Sequence, residues 1–250
     1  MTILAHKSFQ TIWGVVLLLL VWQGLSLAVA QPVLPGPFAA TSAFVSSVTQ
    51  GDLLVHLAYS SARVIAALVA ALLLAVPAGM FLGRHQVVDK LFSPFVHLVY
   101  PIPKVAFLPV VIILMGVQNL SKIFLIGLIV FFQILVTTRD ASRGVSRASI
   151  TSVKSLGATS WDTYRHVVFP ACLPKVFTSL RIGVGTAIAV LFLTETFATV
   201  HGLGYYLLDA WSRLDYEDLF AGVIAMGLLG ASLYWLLDLA QRRFCPWEQL

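Results

Sequence analysis

Residues 61–84 read SARVIAALVAALLLAVPAGMFLGR. From Val64 to Leu82 the run is apolar apart from Pro77 and Gly79, and it closes on Gly83 and Arg84. A helix rising ~1.5 Å per residue needs about 20 such residues to cross the ~30 Å hydrocarbon layer of a bilayer, and this run has that length. The whole chain agrees. Of its 250 residues 59% are hydrophobic and 11% charged, and the mean hydropathy is +0.91, far from the balance of a soluble domain. The net charge of +5 does not point to nucleic acid, because the basic residues lie at the ends of apolar segments and form no aromatic-interleaved face. Cys172 and Cys245 make no metal-ligand spacing, and both fall in segments placed below on the cytoplasmic side, where thiols stay reduced.

Working outward, the expectation is an all-α polytopic membrane protein, a single transmembrane domain over residues 1–250. Its six spans are expected at about 12–30, 62–83, 95–117, 121–138, 176–199 and 219–238. Lys7, the apolar run from Ile12 and the tripeptide Ala28-Val29-Ala30 have the form of a secretory signal. The run is nevertheless long enough to span, and it is read as an uncleaved helix. The third span is the irregular one. VAFLPVVIILMGV (105–117) is too short alone and needs the preceding VHLVYPIPK (96–104). Pro101, Pro103 and Pro109 then predict a kinked or broken helix, whose freed backbone groups must be buried in protein or face a cavity. Between Val33 and Val55 the sequence reads as a turn, a short amphipathic helix and a break at Gly51-Asp52.

Lysine and arginine set the expected orientation. With both termini in the cytoplasm, the inner segments hold twelve basic residues and the outer ones three, Arg63, Lys122 and Arg213, while Lys104 lies inside the broken helix. The acidic cluster Asp209, Asp215, Glu217 and Asp218 then lies outside.

That orientation places residues 139–175 in the cytoplasm, and seven of the sixteen basic residues fall between Arg139 and Arg181. Ile150, Val153 and Leu156 share one face of a short helix that Gly157 can end in a left-handed turn. Ser160 can cap a second helix carrying Asp162 in its first turn, Trp161, Tyr164, Val167 and Val168 on its apolar side, and Pro170 as its stop. Two readings fit: an interfacial helix pair on anionic lipid, or a docking ridge for another protein.

SLGATSWDTYRHVVFPACLPKVFTSLRIGVG (155–185) resembles the cytoplasmic "EAA" loop of ABC-importer permeases. There a Gly is followed by nine residues, an aliphatic, one residue, an aliphatic or aromatic, and Pro; here Gly157, Val167, Phe169 and Pro170 fill those places. LPGPFAATSAF, YPIPKVAFLPVVIILMGV and GLGYYLLDA extend the likeness to the subgroup serving nitrate, sulfonate, taurine, bicarbonate and thiamine-precursor importers. The resemblance implies a type I importer permease fold in a bacterial inner membrane and a second permease copy that completes a homodimer. It also implies two cytoplasmic ATPase subunits that carry ATP and Mg, and a periplasmic or lipid-anchored binding protein that delivers a small solute. Docking to the ATPase would fall on Val153, Leu156, Gly157, Ala158, Trp161, Asp162, Tyr164, Arg165, Val167, Phe169 and Pro170. One departure stands out: Thr151 occupies the place of the acid that usually opens the loop.

Ionisable groups at membrane depth are functional by default. Glu195, flanked by Thr194 and Thr196, could line the pathway, hold an outer gate or be a structural acid bonded to a neighbouring helix. An ionised Glu195 argues against a simple anion-binding pore. Arg63 reads mainly as a snorkelling cation, with Lys104 and Gln133 as further pathway candidates. His56, His97 and His201 have no metal spacing. The rival functions are a proton-coupled secondary transporter using Glu195, an intramembrane hydrolase and a non-transporting scaffold. No inverted repeat, G-x-S-x-G or H-E-x-x-H supports the first two, and the lack of G-x-x-x-x-G-K-[ST] leaves the chain no ATP-hydrolysing motif and no bound cofactor of its own.

Overall fold

A computed structural model describes the backbone of residues 2–249 and the side chains of residues 13–248. Lys7, counted above among the inner cations, lies outside the described side chains. Helices account for the regular structure, and no strand occurs among the described residues. In chain order they are α1 (Thr2–Val29), α2 (Pro37–Thr49), α3 (Leu53–Arg84), α4 (Gln86–Val99), α5 (Leu108–Met115), α6 (Asn119–Arg143) and α7 (Arg147–Ser155). They continue with α8 (Ser160–Glu195), α9 (Leu203–Ser212) and α10 (Tyr216–Phe244). Four of them, α3, α6, α8 and α10, are long and apolar enough to cross a membrane. The stretch Trp13–Val29 of α1 is a shorter apolar helix.

The proline-rich third segment is broken as its sequence predicts. α4 and the stretch Lys104–Met115 meet at a bend of 77°. Pro101 and Pro103 lie in the turn, where they can donate no hydrogen bond, and Lys104 answers the stranded carbonyls. Its ammonium donates to Val99 O at 2.9 Å, Tyr100 O at 3.0 Å and Ile102 O at 3.4 Å. Pro109, by contrast, opens α5 in a first-turn position, where a missing N–H costs nothing.

The core is the packing of α3 on α6 and of α6 on α8. Small residues let α3 and α6 approach: a Cβ at Gly79 would stand 2.8 Å from Leu135 O and from Thr138 Cβ. Ala67, Ala71 and Ala75 bury the rest of that α3 stripe. Gly183 of α8 faces Val130 of α6 in the same way, at 3.2 Å.

Several boundaries differ from the sequence reading. α3 begins at Leu53 rather than near residue 62, which brings His56 and Ser60 into the helix. α6 continues past residue 138 to Arg143, so Arg139 and Arg143 belong to the bundle rather than to a loop. Thr159, not Ser160, caps the second helix of the polar island. Its hydroxyl accepts from Asp162 N while the Asp162 carboxylate accepts from Thr159 N, a reciprocal capping box. Pro170 does not stop that helix. Residues Tyr164–Val168 form a π-helical turn immediately before it, and the wider turn accommodates the ring and lost N–H of Pro170. The island helix and the fifth apolar segment are therefore one helix, α8.

Candidate functional site

The polar island is an excursion of two helical pieces at one end of the bundle, here termed the α7 end. Ser146 caps α7, and Gly157 ends it at φ +86°, a conformation glycine adopts without strain. Ile150 is buried and Val153 half-buried, but Leu156 turns to solvent, 87% exposed, so the three do not share one buried face. Across the Gly157-Ala158 turn stands Trp161, 71% exposed. Leu156 and Trp161 thus frame the turn as a small apolar ridge. Behind it, Tyr164 and Val167 are half-buried and Val168 is buried. Trp161, Tyr164, Arg165 and Phe169 also line a mainly apolar groove of about 670 Å³ against Val76, Pro77, Met80 and Phe81 of α3. Thr151 is exposed.

At the opposite, α9 end, two residues read separately in the sequence meet. The Arg63 guanidinium lies 2.6 Å from Glu195 Oε1, and the two side chains are 4% and 0% exposed. Arg63 therefore does not snorkel. Glu195 also accepts from Ser60 Oγ at 2.7 Å and from Gly204 N at 3.0 Å. Arg63 donates onward to Asn119 Oδ1 at 2.8 Å and His201 O at 2.7 Å. Gly202, at φ +127°, and Gly204 press against the acid: a Cβ on Gly202 would overlap the carboxylate, and one on Gly204 would stand 2.6 Å from Glu195 Cβ. Beside this cluster His56 Nδ1 accepts from Gly202 N at 3.0 Å, which leaves Nε2 to donate to Asp52. Lys122 is fully buried, its ammonium 2.6 Å from Val117 O. Thr194 and Thr196 return their hydroxyl protons to Leu191 O and Leu193 O of their own helix, so neither has a donor left for another partner.

A second buried pair occupies the α7 end, where Arg139 of α6 grips Asp89 of α4 through two nitrogens. Ser93 accepts from Arg139 at 3.1 Å, and Arg143 stands 3.6 Å from the same carboxylate. Between the two ends, Lys104 and Gln133 line one polar cavity. The acidic cluster is organised by Arg213, which reaches Asp209, Asp215 and Asp218 at 3.0, 3.9 and 3.6 Å. Tyr206 alongside donates to Ser47 Oγ, and burial pushes its phenol up to about 12. Cys245, just past α10, is buried, and burial followed by the Glu248 charge pushes its thiol up.

The sequence reading missed Ser60, Asn119, Lys122, Asp89, Gly202 and Gly204. One signal was present for Ser60: it lies one helical turn before Arg63, on the face that must satisfy a buried charge.

Lipid-length helices, a bent helix pair, charges locked at both ends and a capped polar excursion are the features of a polytopic membrane protein. The chain belongs to the binding-protein-dependent transport system inner membrane component family, whose pattern matches residues 75–247. It is 31% identical over 222 residues to a probable ABC transporter permease protein of Brucella abortus (strain 2308), covering 89% of each chain. It is 33% identical over 193 residues to the taurine transport system permease protein of Escherichia coli (strain K12), covering 77% of this chain and 70% of that one. With the "Putative aliphatic sulfonates transport permease protein" of Bacillus subtilis (strain 168) it shares 27% identity over 232 residues, 91% of this chain and 83% of that one. The chain is an ABC-importer permease rather than a proton-coupled secondary transporter.

Proposed function

We propose that the chain is the permease subunit of an importer for a small sulfonate or related organic anion. It is a single domain of six spans: α1, α3, the bent α4–α5 pair, α6, α8 and α10. Both termini and the α7 end face the cytoplasm, and the α9 end faces a binding protein. Two copies form the pathway, and ATP is hydrolysed on two partner ATPase subunits, not on this chain. The names and extent of the relatives support the solute class, and the excess of Lys and Arg at the α7 end supports the orientation.

The observation that carries the docking assignment is the exposed Leu156–Trp161 ridge on the Gly157 turn. A solvated aromatic and aliphatic pair held by a capping box gives a partner groove a rigid apolar anchor. The test is a detergent pull-down of the tagged chain with the ATPase encoded beside it. Wild type retains the ATPase, whereas Trp161→Glu and Gly157→Pro each lower recovery at least about tenfold, a loss of ~1.4 kcal/mol or more. Because Trp161 is exposed, its variant keeps the wild-type thermal midpoint. Recovery equal to wild type in both variants would refute the assignment.

A further inference from the structure

The polar cavity between the two ends has a volume of about 360 Å³, and its walls include Lys104, Val105, Ile129, Phe132, Gln133 and Thr186. Three separate elements converge on it: the bend before α5, the middle of α6 and α8. Irregular backbone at membrane depth persists where it is buried in protein or lines a cavity, and broken helices supply the solute sites of other transporters.

Its chemistry is one-sided. Lys104 is 8% exposed, and its ammonium is fixed by three carbonyls and stands 4.8 Å over the Phe132 ring. No acidic residue lines the cavity, so carbonyl dipoles stabilise that charge without cancelling it. The Gln133 side chain makes no hydrogen bond to any described residue, although Gln133 Oε1 would lie only 3.7 Å from a Cβ on Gly183. The Thr186 hydroxyl has only a long bond of 3.4 Å to Ile182 O. A positive field, an unpartnered amide and a loosely held hydroxyl thus face one space, beside Tyr100 and an otherwise apolar wall that includes Val105, Ile129 and Phe132.

We propose that this cavity is a transit site for a small alkanesulfonate. Gln133 and Thr186 donate to the sulfonate oxygens, and the alkyl chain lies along Ile129 and Phe132. Lys104 acts through its field alone, because its donors are already engaged. That arrangement favours entry of an anion yet forms no charge-assisted hydrogen bond to it, as a site that must also release its occupant requires. It also answers the objection raised by Glu195, whose charge is sealed against Arg63 at the far end of α8 and does not face the cavity. The choice of a sulfonate over other small anions rests on the importer reading above.

The test is thiol chemistry on the full chain in detergent, without ATPase or binding protein. Gln133→Cys is treated with 2-sulfonatoethyl and 2-(trimethylammonio)ethyl methanethiosulfonate, each rate being divided by that for free 2-mercaptoethanol. Wild type, whose Cys172 and Cys245 are buried, is the blank. The expected result is at least a tenfold relative preference for the sulfonate reagent, and at least threefold slowing by butanesulfonate beyond that by sodium chloride of equal ionic strength. Preference for the cationic reagent, or equal slowing by chloride, would overturn the proposal. Slowing only by phosphatidylglycerol added to the micelles would give the cavity to lipid and overturn it as well. If Gln133→Cys is not monodisperse, Thr186→Cys reads the same cavity from α8. A failed ATPase pull-down beside a protected thiol would sink the docking assignment alone. An intact pull-down beside an unprotected thiol would sink the transit site alone.

Discussion

The two buried ion pairs, one at each end of the bundle, are built differently. At the α9 end the carboxylate of Glu195 is 0% exposed and is shared by Arg63, Ser60 and the Gly204 amide. Two glycines leave no room around it. At the α7 end Asp89 is 11% exposed, and one of its two arginines, Arg143, is 66% exposed. The first pair ties α3, α6 and α8 to the turn before α9; the second ties only α4 to α6. A sealed carboxylate tolerates little change of geometry, whereas Asp89, at the edge of solvent and shared with exposed Arg143, has limited access to water as an alternative partner. Separating the paired helices therefore costs less at the α7 end than at the α9 end.

This contrast can be broken by experiment. Glu195→Ala should have the largest effect, about 3–5 kcal/mol in a detergent unfolding measurement, because it strands buried Arg63. The double variant Arg63→Met/Glu195→Leu should recover most of that loss. An effect no larger than that of Asp89→Asn would abolish the distinction between the ends. Gly204→Ala comes next, at about 1–3 kcal/mol, since its methyl group meets Glu195 Cβ and Phe192 O. Asp89→Asn should cost about 1–3 kcal/mol, because the amide oxygen still accepts one bond from Arg139 and solvent relieves Arg143, while the amide NH2 replaces the second acceptor. Arg213→Ala is the smallest. Half-exposed among three acids, it should shift stability by less than ~1 kcal/mol, and a larger shift would mean that its cluster is buried by a partner.

Hydropathy made the four long apolar helices and the bent pair legible, because apolar length is a one-dimensional property. The Gly157 turn was equally legible, since its signal lies within a few residues. The pairing of Arg63 with Glu195 was not, because the two are joined across 132 positions of sequence. A rule was nonetheless available: two lone opposite charges placed near the same membrane face should be tried against each other before either is given to solvent. The end of α6 misled for a related reason. Arg139 looked like the start of a loop because charge normally marks a span's edge, yet Asp89, fifty residues earlier, neutralises it inside the bundle. Pro170 looked like a stop because its local effect is unfavourable, and no sequence signal announces the π-helical turn that absorbs it.

The continuity of α8 has a mechanical consequence. Trp161 stands in its first turn and Glu195 is its last residue, so about 50 Å of one helix at ~1.5 Å per residue joins the exposed Leu156–Trp161 ridge to the sealed pair. A torque applied at the ridge would travel along one continuous helix. Its irregular stretch is the π-helical turn at Tyr164–Val168, followed by Pro170 and Pro174, and it lies beside the Trp161 end. If the ridge receives the ATPase as proposed, this turn sets how much of the stroke is spent in local bending and how much reaches the Arg63–Glu195 pair.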